Sequence, residues 1–144
     1  MAKEIKTEII INASPAKVWA ILTDFDKYPL WNPFIKSLKG KVSAGNRIET
    51  NIQPPGEKPM TFKPLVLAFD ENKELRWIGH LLIPGLFDGE HKFELIDIGN
   101  GTTLFKQSEK FSGILIPLFK KMLDVNTVEG FNQMNLKLKE LAEK

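Results

Sequence analysis

The chain has 144 residues, a length at which one hydrophobic core can support a single domain, so we expect one domain over residues 1–144. Its 42% hydrophobic and 26% charged content is that of an ordinary globular protein, and a net charge of +2 is too balanced to predict a nucleic-acid partner. The sequence contains no cysteine, which excludes disulfides, thiol catalysis and cysteine-ligated metals.

The N-terminal segment does not resemble a targeting sequence. MAKEIKTEIIIN lacks the long apolar core of a signal peptide, and no apolar run approaches the roughly 20 residues that span a membrane. The lack of cysteine agrees with a reducing compartment. We therefore expect a cytoplasmic protein without stable membrane insertion, present as a monomer or weak homodimer.

The first elements are a strand and two short helices. Residues 4–11 are rich in Ile and Thr and predict a strand. Ser14 then suits a helix N-cap and Pro15 the first helical position. Residues 24–29 are expected to form either a break or a second short helical turn. The extended Trp31-Asn32-Pro33-Phe34 segment follows, because a residue that precedes proline disfavours the helical region.

The middle of the chain alternates short strands with turns. Turn signals such as Pro54-Pro55-Gly56 and Gly99-Asn100-Gly101 punctuate it, and such connections join antiparallel strands. With the first strand, this predicts about seven strands. The six candidates here are residues 35–42, 46–53, 60–69, 73–81, 88–98 and 102–112.

The last segment, about residues 116–142, predicts one long amphipathic helix. Gly130 lies in its interior, where glycine costs about 1 kcal/mol relative to alanine. It indicates either a close approach of another element or a tolerated glycine. The predicted fold class is α+β: a curved antiparallel sheet of about seven strands wrapped around a long C-terminal helix, with two short helices after the first strand. Such an arrangement leaves room for a small-molecule site between sheet and helix.

The hairpin formed by the last two strands is the most informative part of the sequence. Its inward face carries aromatic and aliphatic residues together with His91, Gln107 and Glu109, so it is too apolar for open solvent and too polar for a dry core. A three-residue Gly-Asn-Gly loop would set Ile98 opposite Thr102. That register places Phe93 opposite Gln107 and His91 opposite Glu109.

His91 and Glu109 are the candidate catalytic residues, and two alternatives stay open. The pair can anchor a ligand or act as a general acid–base. It can also be a satisfied buried pair with no chemistry. One histidine and one carboxylate are too few for a metal site, so we expect no metal and no cofactor. The sequence has no nucleophile elbow, phosphate-binding loop or His-Glu-x-x-His motif.

Aromatic and aliphatic residues on the inward faces are candidate walls of a cavity, although aromatics at these spacings also suit a plain core. The expected ligand-binding residues are Trp31, Phe34, Trp77, His91, Phe93, Gln107, Glu109, Phe111, Leu123, Phe131 and Met134.

Two apolar loops, residues 81–87 and 113–119, combine aliphatic side chains with a proline. Three alternatives stay open for them. They can form a portal to the cavity, make transient contact with a membrane, or be buried against each other.

Several short motifs, taken in order, resemble the START/SRPBCC superfamily, which has the helix-grip or birch-pollen-allergen-like fold. The similarity is closest to its polyketide cyclase/dehydrase-like branch and covers essentially the whole chain. The motifs include Ser14-Pro15-Ala16-Lys17-Val18-Trp19, Trp31-Asn32-Pro33-Phe34, Leu75-Arg76-Trp77, Pro84-Gly85-Leu86, Gly89-Glu90-His91 and Glu109-Lys110-Phe111-Ser112-Gly113. The resemblance implies the fold but no single function, because members bind lipids, sterols, polyketides, hormones or quinones, and some are enzymes or act on chaperones.

Three hypotheses follow. The first is a protein that binds a small hydrophobic ligand, such as a lipid, quinone or polyketide-like molecule, between sheet and helix. The second is a cyclase, aromatase or dehydratase acting on a polyketide-like substrate, with His91 or Glu109 as acid–base. The third is an interaction module that resembles the chaperone activators and needs no polar groups on its inward face.

Overall fold

A computed structural model describes residues 2–144 and begins with the predicted strand and helix. Strand β1 spans Ala2–Ile11, and helix α1 spans Pro15–Leu22. The Ser14 hydroxyl accepts a hydrogen bond from the Lys17 amide at 3.2 Å, and Pro15 opens the helix, so the predicted cap is confirmed. A 3₁₀ turn and a four-residue helix α2 follow, at Phe25–Lys27 and Tyr28–Trp31.

Residues 35–112 form the other strands: β2 Ile35–Lys39, β3 Glu49–Ile52, β4 Met60–Phe62, β5 Leu65–Asp70, β6 Glu74–His80, β7 Asp88–Gly99 and β8 Thr102–Ser112. Together with β1 they form two antiparallel groups. One group has the order β1-β8-β7-β6-β5, and the other has the order β2-β3-β4.

The count differs from the predicted seven because the expected strand 60–69 is two strands. Pro64 lies at the break, and proline cannot donate a hydrogen bond within a sheet. The two groups stay connected by backbone bonds: the Ile48 amide donates to the Pro64 carbonyl at 3.0 Å, and the Val66 amide donates to Asn46 at 2.9 Å. The sheet is therefore strongly curved, and its concave side faces the C-terminal helix.

The long C-terminal helix is confirmed, but it is not uniform. A 3₁₀ turn at Ile116–Phe119 leads into a π-helical segment at Met122–Thr127 and then into helix α3 at Val128–Ala142. The π geometry has no signature in the amphipathic pattern. Phe131, Met134 and Leu138 are fully buried on the side that faces the sheet.

Gly130 marks a close approach, which is one of the two alternatives that its position left open. A Cβ atom there would lie 2.5 Å from Cδ1 of Phe34 and 3.2 Å from Cδ of Pro55. The Phe34 ring packs edge-on against Phe131, with 5.2 Å between ring centroids. The glycine therefore lets the segment before β2 press against the helix backbone.

The predicted register of the last hairpin is confirmed away from its turn, but Ile98 does not lie opposite Thr102 because the turn differs from the prediction. His91 pairs with Glu109 and Phe93 with Gln107. The loop contains two residues rather than three, since Gly99 pairs with Thr102, and a bulge between Asp97 and Gly99 restores the register. Two opposite one-residue shifts cancel, so the expected side chains face the helix.

Candidate ligand-binding cleft

A cleft opens between the concave side of the sheet, strands β3 and β4, and the π-helical segment. Its empty volume is about 560 Å³, which includes space open to solvent. Much of this space is narrow, and the centres of water molecules fit within only about 50 Å³ of it. Its walls are mostly apolar. We refer to this space, with its floor at Gly79 and Gly89, as the cleft.

The floor of the cleft exists because two glycines face each other on neighbouring strands. Gly79 of β6 pairs with Gly89 of β7. The preceding inward pair, Trp77 with His91, is bulky, whereas the glycine pair contributes no side chains. Neither glycine has a positive φ angle, so their small size rather than backbone freedom shapes the cleft.

Strands β3 and β4 and the π-helical segment form the opposite walls. They contribute Ile52, Met60 and Met122, which are apolar, and Thr50, which is buried. The Thr50 hydroxyl has no hydrogen-bond partner among residues 2–144. An unpartnered buried hydroxyl is costly, so this group can take a polar atom of a ligand.

A chain of hydrogen bonds runs from the cleft to the C-terminal helix. Glu109 Oε1 lies 2.9 Å from His91 Nδ1, and His91 Nε2 lies 2.9 Å from Gln107 Oε1. Gln107 Nε2 donates to Asn135 Oδ1 at 2.8 Å, and Asn135 Nδ2 donates to Thr7 Oγ1 at 2.9 Å. The chain satisfies polar groups that would otherwise be buried without partners.

Aromatic rings surround the imidazole of His91, which is 0% exposed. Trp77 stacks on it with centroids 5.3 Å apart and planes inclined by 25°. Phe93 and Phe131 lie 4.6 and 5.0 Å away. Glu109 is the member of the chain that reaches the cleft, so any ligand meets the carboxyl group and not the ring.

The predicted site residues divide into three groups. Five of them line the cleft: Phe34, Trp77, Glu109, Phe111 and Leu123. Five others are buried behind these walls and do not line the cleft: His91, Phe93, Gln107, Phe131 and Met134.

Trp31 lies apart from both groups. It is partly exposed, does not line the cleft, and packs edge-on against Tyr28 with 5.4 Å between centroids. Burial raises the pKa of Tyr28, whose hydroxyl donates to the Leu22 carbonyl oxygen. Trp31 therefore packs on the outside of a rigid helical turn.

The sequence did not predict the wall formed by Thr50, Ile52, Met60 and Phe62, nor the glycine floor. The strands of that wall are short, and their alternation is weak. The glycines did leave a signal. Gly89 has the same parity as the inward His91 on its strand, and Gly79 has the same parity as Trp77 on its strand, so both fall on the predicted inward faces.

The two apolar loops pack partly against each other, which is one of the three alternatives. Phe87 and Phe119 pack together with 5.1 Å between centroids, and the Leu115 amide donates to Leu86 at 2.9 Å. Nevertheless, Leu82 is 83% exposed and Leu118 is 76% exposed. Within the described part of the chain, no helix has the length and apolar character needed to cross a membrane.

The charged side chains of β1, β6, β7 and β8 lie mainly on the outer face of the sheet. Arg76 donates to Glu74 at 2.9 Å and lies 3.5 Å from Glu90, and the bond to Glu74 raises the pKa of the guanidinium. Residues 2–144 contain no cluster of three or more side chains suited to hold a metal ion. The chemistry available to the cleft therefore centres on Glu109 and Thr50.

This fold, a curved antiparallel sheet against a long C-terminal helix, is the helix-grip fold. Residues 2–143 match the family described as polyketide cyclase/dehydrase and lipid transport, so the chain belongs to that family, within the START/SRPBCC superfamily. No curated protein sequence is similar enough to be counted as a relative.

Solved structures give the same fold. An aromatase/cyclase named Zhui, from a Streptomyces species, has a TM-score of 0.80 at 12% identity, over 99% of this chain and 94% of that one. A START superfamily protein from Mycobacterium smegmatis has a TM-score of 0.71 at 21% identity, over 96% and 98%. Norcoclaurine synthase from Thalictrum flavum, solved with dopamine and hydroxybenzaldehyde, has a TM-score of 0.72 at 16% identity, over 98% and 86%. At these identities the likeness establishes the fold alone.

Proposed function

We propose that this protein binds a small hydrophobic molecule in the cleft between the sheet and the C-terminal helix. The observation that carries the proposal is the glycine pair Gly79–Gly89, which leaves an apolar space beside two oxygen-bearing groups, Glu109 and Thr50. Apolar walls supply affinity, and a few polar groups orient the ligand. A cytoplasmic location belongs to the proposal and is supported by the cysteine-free sequence.

The narrow part of the cleft sets a condition on binding. The part of the cleft in which water centres fit is about 50 Å³, which is room for only a few water molecules. A larger molecule must therefore displace side chains of the wall. Met60 and Met122 are suited to this because methionine is unbranched and repacks readily. Met122 is also the first residue of the π-helical segment, and π-helical geometry is found frequently at functional sites.

Native mass spectrometry of freshly purified protein, followed by extraction, tests the proposal. We expect a stoichiometric apolar passenger, or a raised melting temperature with some members of a panel of lipids, quinones and aromatic polyketide analogues. Gly79→Val fills the floor and should abolish the response. Ser108→Val adds volume on the outer face of β8 and should preserve it. A protein that is empty and unresponsive to the whole panel would contradict ligand binding and favour an interaction module.

A second candidate function is an enzyme of the cyclase, aromatase or dehydratase type. The His91–Glu109 bond at 2.9 Å favours it, because a carboxyl group joined to an imidazole at a cleft wall can move a proton. This candidate predicts that Glu109→Gln loses turnover of a poly-β-ketone substrate while ligand affinity is retained. A binding protein has no turnover to lose. Mass analysis of the substrate after incubation with each variant separates the two.

A further inference from the structure

We infer that His91 and Glu109 share one proton near neutral pH, and that the cleft therefore selects a ligand bearing a hydroxyl group, which donates to Glu109 Oε2. The preference for a hydroxyl group rests on the proposed function, because it requires that a ligand binds in the cleft. The shared proton does not, because it is present in the protein without a ligand. It follows from the direction of each hydrogen bond in the chain that ends at Glu109.

The direction is fixed at Thr7. Its hydroxyl lies 2.8 Å from the backbone carbonyl oxygen of Gln107, which can only accept a hydrogen bond. Thr7 has a single hydroxyl hydrogen, and this bond uses it. Thr7 Oγ1 must then accept from Asn135, so the amide nitrogen of Asn135 faces Thr7 at 2.9 Å.

The orientation of the Asn135 amide fixes that of the Gln107 amide, and the Gln107 amide in turn fixes which atom faces His91. With its nitrogen on Thr7, Asn135 presents Oδ1 to Gln107 Nε2 at 2.8 Å. Gln107 Nε2 also lies 3.4 Å from the carbonyl oxygen of Phe131, a second acceptor. Gln107 Oε1 is thereby turned towards His91 Nε2 at 2.9 Å, and this ring nitrogen must carry a hydrogen.

The remaining ring nitrogen then requires a proton from the pair. If His91 is neutral with its hydrogen on Nε2, the Nδ1 lone pair points at Glu109 Oε1 across 2.9 Å. Two lone pairs at that distance repel. One proton between them removes the conflict, either on Nδ1 beside a carboxylate or on Oε1 beside a neutral ring. Both arrangements give the pair a net charge of zero.

This shared proton determines what the cleft presents to a ligand. In both arrangements it lies between Nδ1 and Oε1, so Glu109 Oε2 carries only lone pairs. Oε2 lies against Gly89 on the cleft floor, where a Cβ atom would overlap it. A neutral pair gives no net attraction to an ammonium group. The matching ligand group is a neutral donor, which in a hydrophobic molecule is a phenolic or alcoholic hydroxyl.

The charged side chains nearest to His91 and Glu109 do not change the net charge of zero that we infer for the pair. Lys3 occupies the same face of β1 as Ile5, the residue opposite Glu109, and it forms an ion pair with Asp124 of the π-helical segment. The other described side chains that face the pair are uncharged. They come from β6, β7, α3 and the wall strands, and they include Trp77, Phe131 and Thr50.

Nuclear magnetic resonance of the free protein tests the proton. Histidine ring ¹⁵N and glutamate ¹³C carboxyl signals are followed across pH, with His80→Gln used for assignment. Near neutral pH we expect a hydrogen on Nε2, together with either a doubly protonated ring or a protonated Glu109. A neutral ring beside an ionised Glu109 would overturn the inference, as would a neutral ring with its hydrogen on Nδ1.

A variant of Thr7 tests the chain of hydrogen bonds that leads from Thr7 to His91. Thr7→Val removes the hydroxyl that orients the Asn135 and Gln107 amides, so both amides can invert, and the ring hydrogen of His91 should then appear on Nδ1 beside Glu109. Thr103→Val is the matched control, because its buried hydroxyl donates to Ala13 at 2.7 Å outside this chain. Identical His91 ring ¹⁵N signals in the Thr7→Val and wild-type proteins would contradict the fixed direction of the hydrogen bonds.

Binding of three named probes tests the ligand class. The probes are 1-naphthol, 1-methoxynaphthalene and 1-naphthylmethylamine. We expect 1-naphthol to bind the wild type about tenfold more tightly than the other two, as one hydrogen bond to a polar group predicts. Glu109→Gln should keep this preference, since its amide nitrogen can donate to Nδ1 and leave its oxygen facing the cleft. Glu109→Leu should abolish the preference.

The outcomes separate the two proposals. Equal binding of all three probes to the wild type would overturn the hydroxyl preference and leave ligand binding supported. Preferred binding of the amine would contradict the neutral pair. If no probe binds, ligand binding in the cleft is contradicted and the hydroxyl preference fails with it, while the magnetic resonance result still decides the shared proton.

Discussion

The two ends of the concave sheet face differ most in the size of the inward side chains. At one end, which we name the closed region, Leu75, Phe93, Leu95 and Phe105 fill the space beneath the helices and are buried. At the other end, four residues further along the same strands from Leu75 and Phe93, the inward positions are Gly79 and Gly89, and the cleft opens. The backbone pairing is continuous through both.

This contrast shows how one sheet can supply both stability and a binding site. Large apolar side chains on the inward face contribute most of the burial energy in the closed region. In the cleft, two missing side chains leave room, and His91 with Gln107 lies at the boundary. The variants below test whether the two regions carry these different roles.

The largest effect is expected from truncation in the closed region. Phe93→Ala removes a fully buried ring that contacts Trp77 and Phe105, with centroids 5.6 and 6.0 Å away, and should lower the free energy of unfolding by about 3–5 kcal/mol. Phe62→Ala removes a partly exposed ring from the cleft wall and should cost less than half as much. Urea unfolding measures both, and equal losses would remove the distinction between the regions.

A smaller loss is expected where the helix meets the segment before β2. Gly130→Ala improves helix propensity by about 1 kcal/mol. However, its Cβ would meet the buried Phe34 ring at 2.5 Å, and overpacking of this kind costs about 1–3 kcal/mol. Because Phe34 is held by Phe131, we expect net destabilisation in thermal unfolding. Asn132→Ala, at an exposed position of the same helix, should be neutral or stabilising.

The two glycines of the floor should respond differently to the same methyl group. At Gly89 the Cβ would overlap Glu109 Oε2, so Gly89→Ala should displace this carboxyl group and cost about 1 kcal/mol through the weakened bond to His91. At Gly79 the nearest atom is Pro64 Cβ at 3.6 Å, an ordinary contact. Gly79→Ala should therefore be stabilising by about 0.5 kcal/mol, as expected for alanine replacing glycine within a strand. Chemical unfolding of both variants checks the sign, and the same sign in both would contradict the placement of Glu109.

The smallest effect is expected outside both regions, at the end of α3. Lys139 donates to Glu143 at 2.5 Å and the Asn12 amide donates at 2.8 Å, so the pKa of Glu143 lies below its usual range. A lowered carboxyl pKa stabilises the fold above the unfolded-state pKa, and this contribution is lost as pH falls through the folded-state value. Glu143→Gln should thus lower the melting temperature slightly at neutral pH. The difference from the wild type should vanish in acid, and a difference that grows in acid would contradict the ion pair.

The sequence was sufficient to predict the fold and the polar face, since both depend on local periodicity. Strand alternation placed His91 opposite Glu109, and the helical stripe placed Phe131 and Met134 on the buried side. The predicted pairing of His91 with Glu109 is correct, but the turn on which it was based is not. The turn is one residue shorter than expected, and a bulge compensates for the difference.

The cleft itself depends on long-range placement that periodicity does not encode. Thr50 and Met60 lie on short strands whose position is set by backbone bonds between residues 45–48 and 64–66. Trp31 was expected in the wall, but the short helix α2 holds it away from the cleft, against Tyr28. Aromatic residues near a site in sequence need not face it, because a helical turn redirects them.

The central claim is that the cleft, and not the closed region, binds a small hydrophobic molecule. Titration of ¹⁵N-labelled protein with 1-naphthol, followed through backbone amide signals, tests it most directly. The account predicts the largest shifts at Gly79, Gly89 and Thr127, with little change at Leu95 and Phe105. Shifts confined to the closed region or to the outer face of the sheet, or no saturable shifts at all, would contradict it.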